Sequence, residues 1–288
     1  MNRSPRPSAP AATFRIVPQT SASPSLADFQ QAFLAHGLTD QRYLSLHFER
    51  YVQTKNRLLS SWNRARGVRV LDVGAHWLHQ AVLYAMDGFE VTALDMPVTF
   101  EMADVRSIAD AHRIRLVSEP DLEKATALAR IPDDSFDIVL FTEIIEHITF
   151  NPVAMWREIY RVMAPGAHIV VTTPNYYAWR GRAWHWGRFF DRFGGGLSTI
   201  DILTINTHAN HWKEYSLREL VYYFCVLSPD FDCTRQEHLQ EYYDGYLPVK
   251  ATWLSRGIEA TIPILRPEVY LEVELRQKSK GIVVEPHW

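Results

Sequence analysis

The sequence predicts an α/β protein built on a doubly wound, seven-stranded and mostly parallel sheet, and three observations carry that prediction. Short β-branched apolar runs alternate with segments of helical period from about residue 68 to residue 174. Those runs are apolar almost throughout, as strands covered by helices on both faces must be. Acidic and polar residues, Asp72, Asp95 and Thr142 with Glu143, stand where the runs end, which is where ligands bind in an open parallel sheet. At 288 residues and 47% hydrophobic, the chain can bury the core such a sheet requires.

The first 25 residues are rich in Pro, Ser and Ala and lack the apolar core of a secretory signal, so they predict a disordered tail. Over residues 26–66, LADFQQAFLAHGL and RYLSLHFERYVQTKNRLLSSW place apolar residues at helical spacing and predict N-terminal helices. Their polar faces carry Arg42, His47, Arg50 and Tyr51, and both a solvated face and a lid over a ligand fit that pattern. The main domain then runs over residues 67–288. Its first strands are VRVLDV, EVTALD, RIRLVS and FDIVLFT, with helices at His79–Met86 and over FEMADVRSIADAH. The helix PVAMWREIYRVM begins with Asn151 as a cap and Pro152 at the first helical position, and the APGA segment at 164–167 ends it. After the strand HIVVTTP, residues 175–215 interrupt the alternation with a stretch dense in Trp, Tyr, Phe and Arg. A connection this long is functional or disordered, and its aromatic content predicts an inserted aromatic lid. Ser216 with Glu219 three positions on forms a capping box that launches SLRELVYYFCVL. DFDCTRQEHL, a helix over 252–261 and VYLEVELRQK supply the last two strands.

A net charge of -3 gives no general polyanion-binding field. Two cysteines, Cys225 and Cys233, are too few for a disulfide framework or a thiolate zinc site and point to a reducing, cytoplasmic setting. No apolar run reaches membrane-spanning length. Nucleic acid is therefore not the expected partner, although the interleaved arginines and aromatics of the lid could stack on RNA bases. The same lid fits two other roles. Its rings could stack on a sugar or aryl ring while Arg180, Arg182, Arg188 and Arg192 hold an anionic group, or it could be an amphipathic helix packed over the sheet end. Nothing in the sequence specifies an oligomeric state.

Taken from the residues alone, Asp95 could accept hydrogen bonds from both hydroxyls of a ribose or simply cap the next helix. The stretches VLDVG, GFEVTALD, IPDDSFDIVLFTEIIEHI and REIYRVMAPGAHIVVTTPN, between about Val68 and Asn175, together resemble the Rossmann-like class I S-adenosylmethionine-dependent methyltransferases, in particular small-molecule O-methyltransferases. The resemblance implies S-adenosylmethionine as cofactor. It places Asp72 and Gly74 beside the methionine part, Asp95 and Met96 at the ribose, Asp121 with Leu122 at the adenine edge and Thr142 at the sulfonium end. The chain departs from that family where its turn after the first strand carries glycines, since His76, Trp77, Leu78 and His79 stand there. Backbone at such a turn must approach the cofactor closely and adopt positive φ. Three outcomes remain open: a wider loop that still admits the cofactor, with His76 or His79 making polar contacts; a closed loop in a methyltransferase-like binding or scaffold protein without catalysis; or a site for a different nucleoside.

TEIIEHI, if helical, puts Glu143, Glu146 and His147 on one face, where two carboxylates and an imidazole can meet one cation or one substrate hydroxyl. A histidine beside two carboxylates can equally just order the strand end. THANHWKEYSLREL resembles the segment with which metal-dependent 2′-O-methyltransferases of small RNAs add a further histidine, and that resemblance sets His211 opposite the other three. Two carboxylates and two imidazoles would suit Mg²⁺, Mn²⁺ or Zn²⁺. The function expected is O-methylation of a small-molecule or glycan hydroxyl, with a metal-chelated vicinal diol as one form of acceptor. His147 or His211 would be the base, or a metal would lower the hydroxyl pKa, with Glu143 a further catalytic residue of the cluster that carries the acceptor.

Overall fold

Seven strands form where the apolar runs predict them, and the computed structural model describes residues 23–61, 67–179, 181–184, 197, 199–240 and 249–287. The strands are β1 (Arg69–Val73), β2 (Glu90–Asp95), β3 (Arg115–Ser118), β4 (Phe136–Thr142), β5 (Met163–Pro174), β6 (Phe231–Leu239) and β7 (Glu268–Leu275). They lie in the order β3-β2-β1-β4-β5-β7-β6. Every pairing from β3 across to β5 is parallel, and β7 runs antiparallel to both β5 and β6. The chain winds outward in one direction from β1 to β3 and in the other from β4. The crevice beyond the carboxyl ends of β1 and β4 is therefore the topological switch point.

The helices are α1 (Leu26–Leu34), α2 (Arg42–Ser61), α3 (His79–Met86), α4 (Pro97–Phe100), α5 (Ala103–His112), α6 (Val153–Val162), α7 (Thr199–Thr204), α8 (Leu217–Leu227) and α9 (Val249–Thr261). Strand alternation divides the core between them. Val70, Ile138, Leu140 and Val170 face one cluster with Phe29, Phe33, Leu44, Leu58 and the buried residues of α3 and α5. Leu71, Val73, Val139, Phe141, Ile169 and Val171 face the other, with Trp156 and Ile159 of α6 and Leu220 and Phe224 of α8. The Trp156 indole, fully buried, donates to the Tyr223 hydroxyl at 2.7 Å and so leaves no polar atom stranded in the second cluster.

Several boundaries differ from the sequence-based expectation. FEMADVRSIADAH splits into α4 and α5 because Pro97 starts a short helix of its own two residues after β2. Asn151 Oδ1 does accept from the Val153 amide at 3.0 Å, but Pro152 is the capping residue and α6 starts one residue later. The segment after α6 extends β5 back to Met163, so APGA lies inside the strand. The capping box is as read: Ser216 accepts from the Glu219 amide at 3.3 Å while Glu219 accepts from the Ser216 amide at 2.9 Å. Residues 1–22 of the tail, and Arg180, Arg188 and Arg192 of the lid, lie outside the described residues. The two ends of the 175–215 segment are stitched together, since Tyr176 donates its amide to the Tyr215 carbonyl at 3.1 Å. Asn175 fixes that junction by donating to the Ile264 and Arg266 carbonyls, each at 2.8 Å. Among the described residues no helix is long and apolar enough to cross a membrane.

Candidate active site

A cavity of about 610 Å³ opens at the switch point, within the range of small-molecule sites. It gathers Asp72, Gly74 and His76 after β1, Asp95 and Met96 after β2, Asp121 and Leu122 after β3, and Thr142, Glu143 and His147 after β4. Every residue assigned to the cofactor by sequence resemblance thus borders one space.

The altered turn keeps the backbone conformation that glycine would favour. His76 has φ 47° and Leu78 has φ 66°, both left-handed, and Gly74 before them has φ 73°. Gly74 and Ala75 donate their amides to the Leu94 carbonyl at 2.8 and 3.3 Å, which ties the turn to the end of β2. At Gly74 a Cβ would lie 2.0 Å from Ile144 Cδ1, so any side chain there would force Ile144 to shift. Leu78 is instead fully buried in the first core cluster.

Asp95 has the capping role that its position left open, and it also borders the cavity. Its Oδ2 accepts from the His76 amide at 2.7 Å, and its Oδ1 accepts from the Met96 amide at 2.7 Å and the Thr99 hydroxyl at 3.0 Å. It therefore steadies the turn and α4 while lining the cavity. Asp72 is 2% exposed, and its Oδ2 accepts no hydrogen bond. Burial, with the nearby Asp95 charge adding to it, pushes its carboxyl up to about 8. Gln80, at the second position of α3, accepts from the Thr142 hydroxyl at 3.0 Å while its buried Nε2 donates to nothing. A buried acid oxygen and a buried amide nitrogen, each without a partner beside the same cavity, fit an amino acid moiety, whose ammonium and carboxylate offer the complementary groups. Asp121 sits at the rim and is paired with Lys124 at 2.7 Å, which holds its carboxyl below the usual range.

Part of the polar face of α2 lines the cavity, through Tyr43, Arg50 and Tyr51, while Arg42 is exposed. Arg50 is 5% exposed and pairs with Glu143 at 3.2 Å. Glu143 also accepts from the Thr172 hydroxyl at 2.9 Å.

That engagement corrects the expected cluster. TEIIEHI does not form a continuous helix: Glu143 takes φ 56° as β4 ends, its amide bonded to the Thr172 carbonyl at 2.8 Å, and only Ile145–His147 makes a single helical turn. Glu143 is thereby turned toward Arg50 and β5. Glu146, His147 and His211 do come together, with one ligand atom from each lying within 4.8 Å of the others. Glu146 is fully buried and accepts from the Thr173 hydroxyl at 2.9 Å through Oε2, while its Oε1 accepts no hydrogen bond and lies 3.8 Å from His147 Nε2. Burial, then the Glu143 charge, raise its carboxyl well above the usual range. His147 Nδ1 lies 3.0 Å from the Asn210 carbonyl. A carbonyl only accepts, so Nδ1 carries the proton and Nε2 presents a lone pair. The end of the 175–215 segment is pinned to the same place, since Trp212 and Lys213 donate their amides to the Glu146 carbonyl at 2.7 and 3.3 Å.

The sequence reading missed Gln80, Glu119 and Tyr43. Glu119 is 2% exposed, and it accepts from the Asp121 and Ala127 amides and the Thr126 hydroxyl, which shapes the loop after β3. It is a strand-end acid, so the rule that singled out Asp72 and Asp95 applies to it as well.

Sheet order, a switch-point cavity and strand-end acids around it define the class I, Rossmann-like fold of S-adenosylmethionine-dependent methyltransferases. The chain belongs to the methyltransferase-domain family, whose model matches residues 42–221. It is 27% identical over 121 residues to a ubiquinone biosynthesis O-methyltransferase of Vibrio cholerae, covering 42% of this chain and 47% of that protein. Phosphoethanolamine N-methyltransferase 3 of Arabidopsis thaliana is 26% identical over 122 residues, 42% of this chain and 24% of that protein. The chain thus spans less than half the length of these relatives. A solved S-adenosylmethionine dependent methyltransferase from Mesorhizobium loti shares the fold with a TM-score of 0.54 at 17% identity, covering 76% of this chain and 96% of that one.

Proposed function

We propose that the protein is an S-adenosylmethionine-dependent methyltransferase acting on a hydroxyl oxygen of a small molecule or glycan. The observation that carries this reading is His147, whose Nδ1 bond to the Asn210 carbonyl leaves Nε2 as a proton acceptor on the wall of the cofactor-sized cavity. Bound there, S-adenosylmethionine supplies an electrophilic methyl group on a positively charged sulfur. Gly74 and the turn after it, Asp72 and Gln80 would hold the amino acid end, Asp95 and Met96 the ribose, and Asp121 with Leu122 the adenine edge. Thr142, fixed by Gln80, would border the sulfonium. The acceptor oxygen must approach in line with the breaking carbon–sulfur bond and lose its proton, and His147 Nε2 takes that proton as the carbon–oxygen bond forms. Burial lowers the His147 pKa, so the imidazole is neutral and able to accept at pH 7. The name of the Vibrio cholerae relative agrees with an oxygen acceptor. The same reading sets the protein in the reducing cytoplasm, in keeping with its two free cysteines.

An alternative to His147 acting as the base is a divalent cation held by Glu146, His147 Nε2 and His211, since one lone pair cannot serve both roles; the unpartnered Glu146 Oε1 aimed at His147 favours it. Two imidazoles and one carboxylate suit Mn²⁺ or Zn²⁺ better than Mg²⁺, which prefers oxygen ligands. A cation there would supply a Lewis acid beside the acceptor, and a vicinal diol would be a natural chelating substrate.

Calorimetric titration with S-adenosylhomocysteine tests the cofactor, and micromolar binding is expected. Asp95→Ala should weaken it by about tenfold or more, since a charge-assisted contact and the support of the turn are lost together. Absence of binding to the wild-type chain would sink the reading. For the cation, Mn²⁺ or Zn²⁺ at a hundredfold excess over Kd should stabilise the protein by about 2.7 kcal/mol. That gain should vanish in His211→Ala, and no thermal shift with either metal would leave His147 acting as a base alone.

A further inference from the structure

The turn after β1 dispenses with two glycines, and what holds it belongs to another element. His76 and Leu78 both take left-handed backbone, which residues carrying a Cβ adopt only where the surroundings over-determine it. The turn's own hydrogen bonds, His76 N to Asp95 Oδ2 at 2.7 Å and Leu78 N to the Ala75 carbonyl at 2.8 Å, use backbone donors that a glycine would also have. The side chains make the difference. The Tyr43 ring of α2 lies 5.0 Å from His76, 6.0 Å from Trp77 and 5.9 Å from His79, stacked on the last at 22°. His47 and Tyr51 extend the same cluster, 4.4 Å from Tyr43 and 6.2 Å from His79. Within the turn His76 stacks on Trp77 at 4.4 Å. Burial pushes His79 down to about 3, so it packs as a neutral aromatic ring. Tyr43 is itself anchored by hydrogen bonds of its hydroxyl with Arg50 and Tyr51.

We propose that Tyr43 is a positioning residue that clamps the His76–His79 turn in its cofactor-accepting shape, so that aromatic contacts from α2 stand in for the conformational freedom of the absent glycines. The clamp deepens the proposed function and rests on its cofactor assignment. Tyr43 acts on the turn and not on the ligand, so its effect exists only while position 76 carries a side chain. A turn held by α2 also makes the N-terminal helices part of the cofactor site.

A double-mutant cycle on the full chain separates this role from direct contact. Tyr43→Ala should raise hydrogen exchange at the His76 and Leu78 amides of the ligand-free protein while leaving β1 and β4 protected. If the competent turn falls to about a tenth of the population, affinity for S-adenosylhomocysteine weakens about tenfold. Tyr43→Phe, which keeps the ring but loses the hydroxyl's bonds to Arg50 and Tyr51, should fall between wild type and Tyr43→Ala in both measurements. In a His76→Gly background, Tyr43→Ala should cost less than about threefold, because glycine holds left-handed φ unaided. An equal loss in both backgrounds, or unchanged exchange at the turn, would overturn the clamp. Should the wild-type chain bind no S-adenosylhomocysteine while the turn amides still respond to Tyr43→Ala, the cofactor assignment fails and the clamp stands.

Discussion

Gly74→Ala is expected to abolish cofactor binding at concentrations that saturate the wild type. Two costs coincide at this position. The φ of 73° is left-handed, which costs a non-glycine residue about 1–2 kcal/mol. A Cβ would also stand 2.0 Å from Ile144 Cδ1 and 2.8 Å from its Cγ1. Ile144 follows Glu143 at the end of β4 and lines the cavity, so a displaced side chain has the ligand's space to move into. Overpacking of this kind costs about 1–3 kcal/mol in its own right. The loss therefore falls on affinity as well as on stability. Ile144→Ala in the same chain should recover the steric part and leave the backbone part, restoring binding incompletely. Calorimetry with S-adenosylhomocysteine reads both variants, and Gly74→Ala binding within about twofold of wild type would show that the displaced Ile144 side chain does not enter the ligand's space.

The contrast between Gly74 and its neighbours explains what the sequence could and could not tell. A missing glycine at 76 or 78 leaves a wider working loop, a closed loop and a site for a different nucleoside all open, because sequence shows the strain of a left-handed residue and hides what relieves it. The relief comes from Tyr43, some thirty residues upstream, and from Leu78 being fully buried in the first core cluster. Strands were legible because burial on both faces leaves a continuous apolar run, as in β4 and in the central part of β5. The capping box of α8 was legible because both of its partners lie within four residues. The polar face of α2 was not, since helical period tells which face is apolar and is silent on whether the other meets water or a cleft. Arg50 and Tyr51 are buried there. Glu143 was misplaced for a local reason: spacing of i, i+3 and i+4 implies one face only in a helix, and a single residue with φ 56° breaks that geometry. Glu146, His147 and His211 lie close together because hydrogen bonds from residues 212 and 213, and not helical spacing, bring His211 to the other two.

Asp72→Asn should change the pH dependence of stability and of cofactor binding in opposite senses. In the folded protein Asp72 titrates at about 8, against about 3.9 for an unfolded aspartate. Between those values the folded state holds a proton that the unfolded state has released, so stability falls as pH rises across the window, at a slope on the order of 1 kcal/mol per unit. Below about pH 4 both states are protonated and the slope vanishes. Asparagine has the same shape and never ionises, so the variant should lose this part of the slope and gain stability relative to wild type as pH approaches 8. Chemical denaturation at a series of pH values checks it, and parallel curves for the two proteins would show that Asp72 is not held protonated. Binding runs the other way. An ammonium group placed against Asp72 Oδ2 would favour the ionised carboxylate, so wild-type affinity for S-adenosylhomocysteine should rise with pH toward 8 as less work is needed to remove the proton. Complex formation at pH 7 should release that proton to buffer, visible as a binding heat that varies with buffer ionisation enthalpy. In Asp72→Asn the affinity should be lower and the proton release absent. A wild-type affinity flat between pH 6 and 8 would place the cofactor's ammonium away from Asp72 and leave this acid a structural element of the turn.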